Sequence, residues 1–301
     1  MIDLDRLTTE QRNAATLHID ELSVSDMLRT IHDEDRKVFE AVENALPMIA
    51  RAVEIIAVRL KKGGRLFYLG AGTSGRLGIL DAVECPPTFG TNPELVQGVI
   101  AGGMNAIFRA QEGAEDSLTL AQEDLRERGL SSLDVLCGIA ASGRTPYVVG
   151  GLNYARSLGA ATIAVACTPD SPIAALADVA ITAVTGPEVI TGSTRLKAGT
   201  AQKIILNMLS TGAMIRLGKV YGNLMVDVKS SNAKLEERAR RIVIEATGKS
   251  RAEAEEALAK ASGSAKLAIL MLLANLPAED AQRQLDAADG YIRRALKGES
   301  S

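Results

Sequence analysis

The chain has 301 residues, of which 47% are hydrophobic and 24% charged, and its formal net charge is −3. This length and hydrophobic fraction allow one substantial core with helical additions. A slightly acidic chain with 3% aromatic residues and no tryptophan lacks the positive surface and stacking side chains that nucleic acids require. We therefore expect no nucleic-acid partner.

Targeting and metal-binding signals are missing from the sequence. The first twenty residues are polar and acidic, unlike a signal peptide, and apolar runs such as 267–276 are shorter than a membrane span. The two histidines and three cysteines have no ligand spacing, which predicts no metal and no cofactor. We expect a cytoplasmic protein without a membrane partner.

Helical and strand patterns follow one another along the chain. Apolar residues at helical spacing from Ser23 to Leu60 predict two helices, with a kink or boundary at Pro47. Continuous apolar runs then alternate with helical segments, and the run at 95–102 precedes a predicted long helix that reaches about Arg128. The five runs are RLFYLGA (65–71), LVQGVIAG (95–102), DVLCGIAA (134–141), ATIAVAC (161–167) and VAITAVT (179–185). Such runs are typical of strands buried on both faces, so the sequence predicts an α/β fold with a doubly wound, five-stranded parallel sheet.

The composition changes after about Val228. Charged and apolar residues there alternate with helical period, broken at TGKS (247–250), SGS (262–264) and LPAED (276–280). This pattern predicts a C-terminal bundle of three or four helices. The predicted organisation is N-terminal helices over 1–56, the α/β domain over 57–228 and the helical bundle over 229–301.

A glycine-rich loop follows the first predicted strand. GAGTSG (70–75) has the spacing G-x-G-x-x-G, and a strand–loop–helix unit directs backbone N–H groups at an anion. A dinucleotide site also needs an acidic residue after the second strand, but that strand ends in AGGMN (101–105). The fingerprint of a dinucleotide site is therefore only half present.

Hydroxyl side chains indicate a different ligand. A second loop, AASGRTP (140–146), follows the third strand and shares Ser-Gly-Arg with the first. Strand ends on either side of a topological switch point face one crevice, so we expect the two loops to surround one phosphate monoester. The alternative is that Ser-Gly-Arg is merely a common turn composition. The candidate phosphate-binding residues are Gly72, Thr73, Ser74, Gly75, Ser142, Gly143 and Thr145.

Further candidates lie beside the two loops and before the last predicted helix of the α/β domain. Arg76 and Arg144 either reach the phosphate or serve the helix surface. The segment GSTRLKAG (192–199) carries Ser193 as a candidate substrate-binding residue and possible helix N-cap, and Lys197 as a candidate contact to a sugar hydroxyl or phosphate.

The loops GAGTSGR and ASGRTP resemble those of the sugar isomerase (SIS) domain family, whose members bind phosphosugars. The longer runs at 69–90, 138–156 and 192–228 resemble the branch of that family that cleaves the D-lactyl ether of N-acetylmuramic acid 6-phosphate. This resemblance extends over nearly the whole chain. It implies release of D-lactate and N-acetylglucosamine 6-phosphate during cell-wall recycling, without a cofactor, by a homodimer.

The implied chemistry needs an acid and a base. In the open-chain sugar the ether lies beta to an aldehyde, so removal of the alpha proton allows elimination, and water then adds to the unsaturated aldehyde. Two carboxyl groups in different environments can divide these tasks. The resemblance implies that Glu84, expected after the helix of the first loop and before two prolines that fix the chain, protonates the ether oxygen. It also implies that Glu115, expected on the long helix, is the base. The residues alone support the pair but not this division of roles.

Two other functions fit parts of the sequence. An aldose–ketose isomerase begins by removing the same alpha proton, so Glu115 would serve it equally, and only release of D-lactate separates the two reactions. A non-catalytic phosphosugar sensor resembling glucokinase regulatory protein would use the same crevice. The presence of both Glu84 and Glu115 favours an enzyme.

Overall fold

A computed structural model describes residues 8–109, 111, 113–228 and 233–299. Contacts divide the chain into two compact units. One comprises Met1–Val83 and Glu94–Ser210, and the other comprises Glu84–Pro93 and Thr211–Ser301. The boundaries that composition places after residues 56 and 228 stay predictions.

The first unit contains the two expected helices, α1 (Val24–Asp35) and α2 (Lys37–Lys61), after two short 3₁₀ turns. The Ser23 side chain caps α1 by accepting a hydrogen bond from the Asp26 N–H. The helices separate at Arg36, whereas Pro47 lies inside α2. Pro47 and Glu43 are exposed, so the backbone carbonyl that loses its partner at this proline is accessible to water.

The sheet confirms the predicted fold class. Its strands are β1 (Leu66–Gly70), β2 (Val96–Ile100), β3 (Val135–Ile139), β4 (Ala161–Ala166) and β5 (Val179–Thr182). They pair in the order β2-β1-β3-β4-β5, and every pair is parallel. Every residue of these five strands is buried or half-buried, as the continuous apolar runs indicated.

Helices cover both faces of this sheet. Phe67 and Leu69 face a core with the helices that follow β2 and β3, whereas the hydroxyl of Tyr68 on the other face donates to Asp81. The helices concerned are α3 (Gly72–Phe89), α5 (Leu120–Glu127), α6 (Pro146–Ser157), α7 (Pro172–Leu176) and α8 (Lys197–Ile215). Alternate strand residues therefore bury their side chains in different layers.

The prediction of one long helix after β2 is wrong. The segment forms the four-residue α4 (Asn105–Phe108), a 3₁₀ turn at Ala114–Asp116 and then α5. Gly102, Gly103 and Gly113 all have positive φ, which an α-helix does not accommodate. Glu115 consequently lies on a short turn and not on a helix.

The expectation that α3 would end before the proline pair is also wrong. Pro86 and Pro87 lie in its last turn, and Glu84 is a helical residue. Proline in this position removes only the N–H groups that would bond to the carbonyls of Ala82 and Val83.

The second unit contains an unpredicted hairpin, β6 (Val220–Tyr221) with β7 (Leu224–Met225), and, within its described residues, five whole helices besides the last residues of α3 and α8. The helices are α9 (Ala233–Thr247), α10 (Arg251–Lys260), α11 (Ala265–Ala274), α12 (Ala278–Ala287) and α13 (Ile292–Lys297). The three predicted breaks are confirmed, and a fourth occurs where Asp289 and Gly290 adopt positive φ. Buried residues of α11, including Ile269 and Leu270, belong to the core of this unit.

By length and composition, no single helix in the described part of the chain could span a membrane, whereas the bent pair of α10 and α11 could.

Candidate functional site

A cleft of about 430 Å³ in the first unit lies where β1 and β3 end. The chain leaves β1 towards β2 on one side and resumes at β3 on the other, so the cleft is at the topological switch point of the sheet. Its size is within the range usual for small-molecule sites. Six of the predicted site residues line it: Gly72, Thr73, Ser74, Ser142, Thr145 and Glu115.

The first loop turns tightly against the end of β1. A Cβ on Gly75 would lie 2.7 Å from the Gly70 carbonyl oxygen and 2.6 Å from Cγ1 of Ile100, so a side chain does not fit there. Gly75 is absent from the cleft lining and instead permits the turn that carries Thr73 and Ser74. Because the loop opens α3, the first N–H groups of the helix lie beside the cleft.

Ser74 forms a hydrogen bond with Gln202, a residue that the sequence analysis did not single out. Its hydroxyl donates to Oε1 of Gln202 on α8 at 2.9 Å, and both residues are buried. The Nε2 atom of Gln202 is buried without a hydrogen-bond partner among the described residues. The signal in the sequence was Gln202 itself, a polar residue next to Ala201 and three before Ile205, both of which are buried apolar residues of α8.

The second loop begins α6 with its hydroxyls near the cleft. Gly143 has φ +66°, and a Cβ there would lie 2.2 Å from the Cβ of Ser171. Thr145 is the N-cap residue of α6, but its side chain makes no capping hydrogen bond. The loop therefore presents Ser142 and Thr145 at a helix N-terminus, a favourable place for an anion.

The two arginines of the Ser-Gly-Arg repeats differ in what they contact. Arg76 donates to the backbone carbonyls of Ala106 and Ile107, at 2.8 and 2.9 Å, and so binds the end of α4. Arg144 is exposed and lines the cleft. Only the second arginine is placed to meet an anion in the cleft.

Three carboxylates also line the cleft. Glu115 and Asp116 come from the exposed 3₁₀ turn after β2, and Glu10 comes from the N-terminal segment. The sequence offered no pattern that connects Glu10, near the N-terminus, with strand ends at residues 71 and 140.

The structure places the candidate residues Ser193 and Lys197, near the start of α8, in different surroundings, and neither lines the cleft. Thr194 lines the cleft, whereas Ser193 lies in the same turn outside its lining. Lys197 is only 1% exposed, and its Nζ lies 2.7 Å from Oε2 of Glu34. Contact between Lys197 and a substrate would require this buried ion pair to break.

The Lys197 ion pair belongs to a buried polar cluster. Burial by itself would raise the pKa of Glu34, but hydrogen bonds from Lys197, Lys37 and Asn13 outweigh burial and lower that pKa to about 2. The Glu188 carboxylate accepts the N–H groups of Lys197 and Ala198, which caps α8, and burial raises the pKa of Glu188. This cluster orders the start of α8.

Glu84 lies in the second unit, on the exposed side of α3. It is not among the residues that line the cleft of the first unit. No group of three or more His, Cys, Asp or Glu side chains in the described part of the chain could hold a metal ion.

Comparison with known proteins gives long matches of high identity. N-acetylmuramic acid 6-phosphate etherase from Clostridium beijerinckii is 57% identical over 296 residues, which cover 98% of this chain and 97% of the relative. The etherase of the same name from Photobacterium profundum is 60% identical over 295 residues and covers 98% of both chains. The chain belongs to the N-acetylmuramic acid 6-phosphate etherase family.

Domain matches agree with this etherase family membership. Residues 48–156 match the N-terminal SIS domain of glucokinase regulatory protein, and residues 111–212 match the SIS domain family. Residues 222–266 match the C-terminal lid domain of glucokinase regulatory protein. A solved structure of a putative phosphosugar isomerase involved in capsule formation from Bacteroides fragilis is 26% identical, covering 63% of this chain and 91% of that chain, with a TM-score of 0.49.

Proposed function

We propose that this protein cleaves N-acetylmuramic acid 6-phosphate with water to N-acetylglucosamine 6-phosphate and D-lactate, in cell-wall amino-sugar recycling. The observation that carries the proposal is the cleft at the switch point, where two hydroxyl-bearing loops and Glu115 meet. The activity named for the two relatives that are 57% and 60% identical over 98% of the chain supports it.

The two loops are the proposed phosphate site. Hydroxyls of Thr73, Ser142 and Thr145 can donate to phosphate oxygens, and the N-termini of α3 and α6 supply backbone N–H groups. The Ser74 hydroxyl can donate to the phosphate when its proton turns away from Oε1 of Gln202. Arg144 adds a positive charge at the same cleft. Held by its phosphate, the sugar chain extends past the loops towards the carboxylates.

Proton transfer is assigned to the two glutamates. Glu115 removes the proton from carbon 2 of the open-chain sugar, the bond between carbon 3 and the ether oxygen breaks, and Glu84 protonates the departing lactate oxygen. Glu84 then takes a proton from water as the hydroxyl adds to carbon 3, and Glu115 returns its proton to carbon 2. Both glutamates end in their starting states. The assignment of Glu84 depends on the family resemblance, whereas the position of Glu115 in the cleft supports its own.

Incubation of the purified protein with N-acetylmuramic acid 6-phosphate should release D-lactate, measured with a lactate dehydrogenase assay. Glu115→Gln and Glu84→Gln should each lower kcat about 100-fold or more, because each removes one proton-transfer group. Glu43→Gln, an exposed change on α2, is the matched control. Interconversion of an aldose phosphate that carries a hydroxyl on carbon 2, such as glucose 6-phosphate, with its ketose phosphate, and no release of lactate from N-acetylmuramic acid 6-phosphate, would establish the isomerase alternative. Normal turnover by either variant would remove that glutamate from the mechanism.

We also propose that the protein is a cytoplasmic homodimer. Leu80 and Val83 on α3 are 51% and 57% exposed, and Leu80 lies one helical turn before Glu84. Burial of these side chains against a second copy is favourable and would also cover Glu84. Two buried cysteines that form no disulfide, Cys137 and Cys167, support a reducing cytoplasm as the location.

Hybrid dimers test whether Glu84 and Glu115 of one site come from different copies. Equal amounts of Glu84→Gln and Glu115→Gln, unfolded and refolded together, should recover about a quarter of wild-type turnover, because half of the dimers are hybrids with one complete site. The same treatment of each variant alone is the control. No recovery in refolded hybrid dimers would mean that one copy supplies both glutamates.

A further inference from the structure

Glu10 lines the cleft but takes no part in the proton transfers or the phosphate binding proposed above. It is half-buried, it lines the cleft together with Ser74, Ser142 and Thr194, and it comes from the segment before α1. Its Oε2 atom lies 3.2 Å from the place where a Cβ on Gly192 would stand. The absence of a side chain at Gly192 therefore leaves room for the Glu10 carboxylate beside the turn that precedes α8.

Hydrogen bonds tie the segment that carries Glu10 to that turn. The Asn13 side-chain amide donates to the carbonyl of Pro187 at 3.2 Å and to Oε2 of Glu34 at 2.8 Å. The Thr16 hydroxyl donates to the carbonyl of Val189 at 3.0 Å. The bonds to Pro187 and Val189 join residues more than 170 positions apart, and together the three bonds fix the direction from which Glu10 enters the cleft.

The buried Lys197–Glu34 ion pair strengthens the same attachment. Oε2 of Glu34 accepts from both Asn13 and Lys197, so α1, the N-terminal segment and the start of α8 meet at one carboxylate. Such a pair is weak evidence for stability, but removal of one partner leaves an uncompensated buried charge. Lys197 is thus placed to position Glu10.

The chemistry of a carboxylate limits what Glu10 can bind. An ionised carboxylate only accepts hydrogen bonds, and it repels the phosphate and the lactyl carboxylate of the proposed substrate. The remaining neutral donors are the sugar hydroxyls and the N–H of the acetamido group. We propose that Glu10 is a substrate-binding residue whose carboxylate accepts a hydrogen bond from one of these neutral sugar donors. This inference rests on the proposed function, because it takes a phosphosugar as the occupant of the cleft.

Binding without turnover provides the test. Affinities of wild type, Glu10→Ala and Glu10→Gln for N-acetylglucosamine 6-phosphate, glucose 6-phosphate and inorganic phosphate are measured by calorimetry or by competition. Glu10→Ala should weaken binding of N-acetylglucosamine 6-phosphate about 10- to 100-fold, the range for a hydrogen bond to a charged group. Binding of inorganic phosphate should stay the same or tighten, since a negative charge leaves the cleft. Glu10→Gln keeps a carbonyl acceptor and should therefore lose less affinity for N-acetylglucosamine 6-phosphate than Glu10→Ala.

The comparison of ligands identifies the donor. A loss confined to N-acetylglucosamine 6-phosphate assigns the acetamido N–H, whereas an equal loss for glucose 6-phosphate assigns a hydroxyl. Equal weakening of all three ligands, including inorganic phosphate, would overturn the proposal, because it would show that Glu10 only maintains the cleft. Unchanged binding of both sugars would overturn it as well.

Glu43→Gln removes one exposed negative charge from α2 and is the control for net charge, and thermal unfolding of each variant checks the fold. Lactate release by wild type is assayed separately. Release of lactate together with unaltered binding by Glu10→Ala would reject the role of Glu10 and leave the proposed function standing. Absence of lactate with the expected loss of sugar binding would reject the function and leave Glu10 as a phosphosugar contact.

Discussion

Individual side chains in this protein have tasks that their residue type alone does not reveal. Ser74 and Lys197 are both residues that commonly bind phosphate. Ser74 lines the cleft while its hydroxyl rests on Gln202, whereas Lys197 is turned into a buried ion pair with Glu34. The hydrogen-bond or ion-pair partner of each side chain therefore decides whether its polar group lies at the cleft or in the interior.

At the residue scale, Gln202→Glu should weaken binding of the phosphosugar. A carboxylate there would hold the Ser74 proton away from the phosphate and repel the phosphate charge, so we expect KM to rise about tenfold with a smaller change in kcat. Gln202→Met, of similar length but neutral, is the matched control and should raise KM less. Steady-state kinetics at pH 8 provides the measurement, and equal KM values for the two variants would contradict the role of charge.

At the scale of elements, breaks in regular structure build the site. The segment after β2 is divided by Gly102, Gly103 and Gly113, and the resulting short turn brings Glu115 to the cleft. An uninterrupted helix from the end of β2 would carry residues further along away from the strand end at about 1.5 Å per residue. The glycines therefore contribute to the site without touching the ligand.

The second loop offers a prediction at this scale. Gly143→Ala combines an unfavourable φ of +66° with a Cβ only 2.2 Å from the Cβ of Ser171, so the loop must shift. Gly129→Ala has the same φ of +66° with nothing within 4 Å of the new Cβ. Both variants should lose about 1–3 kcal/mol of stability from backbone strain. Only Gly143→Ala should also raise KM severalfold, as kinetics with the phosphosugar would show, and an equal KM effect in both would refute the loop assignment.

At the scale of the molecule, buried carboxylates make stability depend on pH in opposite directions. Hydrogen bonds that outweigh the effect of burial keep the pKa of Glu34 near 2. Burial raises the pKa of Asp81 above its ordinary value, although Asn207, Tyr68 and Ser210 donate to it. A raised pKa in the folded state makes stability fall as pH rises, and a lowered one makes it fall as pH drops.

The contribution of Glu34 can be isolated by comparison. Unfolded Glu34 titrates near 4.5 and folded Glu34 near 2, so its stabilisation is complete above pH 4.5 and is lost as pH falls towards 2. Urea unfolding of wild type should show a decrease on the order of 3 kcal/mol across this window that Glu34→Gln lacks. The pH-dependent contribution of Asp81 to the free energy of unfolding is the same in wild type and in Glu34→Gln, so it cancels when the two curves are compared. Glu34→Gln should also be destabilised above pH 4.5, because the Lys197 charge is left unpaired. Parallel pH curves would contradict this account.

Local pattern in the sequence determined the fold class and the positions of the two loops that we propose bind phosphate. Strands buried on both faces must be apolar throughout, and a loop that directs N–H groups at an anion must be small, so both leave a signature in adjacent residues. The five strands, the breaks at 247–250, 262–264 and 276–280, and the positions of Ser74 and Ser142 at the cleft followed from such signatures.

Only the tertiary structure decided which distant residues join those loops. Glu10 and Thr194 line the cleft through the packing of the N-terminal segment and of the turn before α8. Gln202 on α8 accepts the hydrogen bond of Ser74, and the side chain of Lys197 is buried in an ion pair with Glu34. Contacts between residues more than 100 positions apart depend on the relative placement of whole elements, for which no local period or spacing exists. That is why the sequence predicted the phosphate loops but missed Glu10 and Gln202.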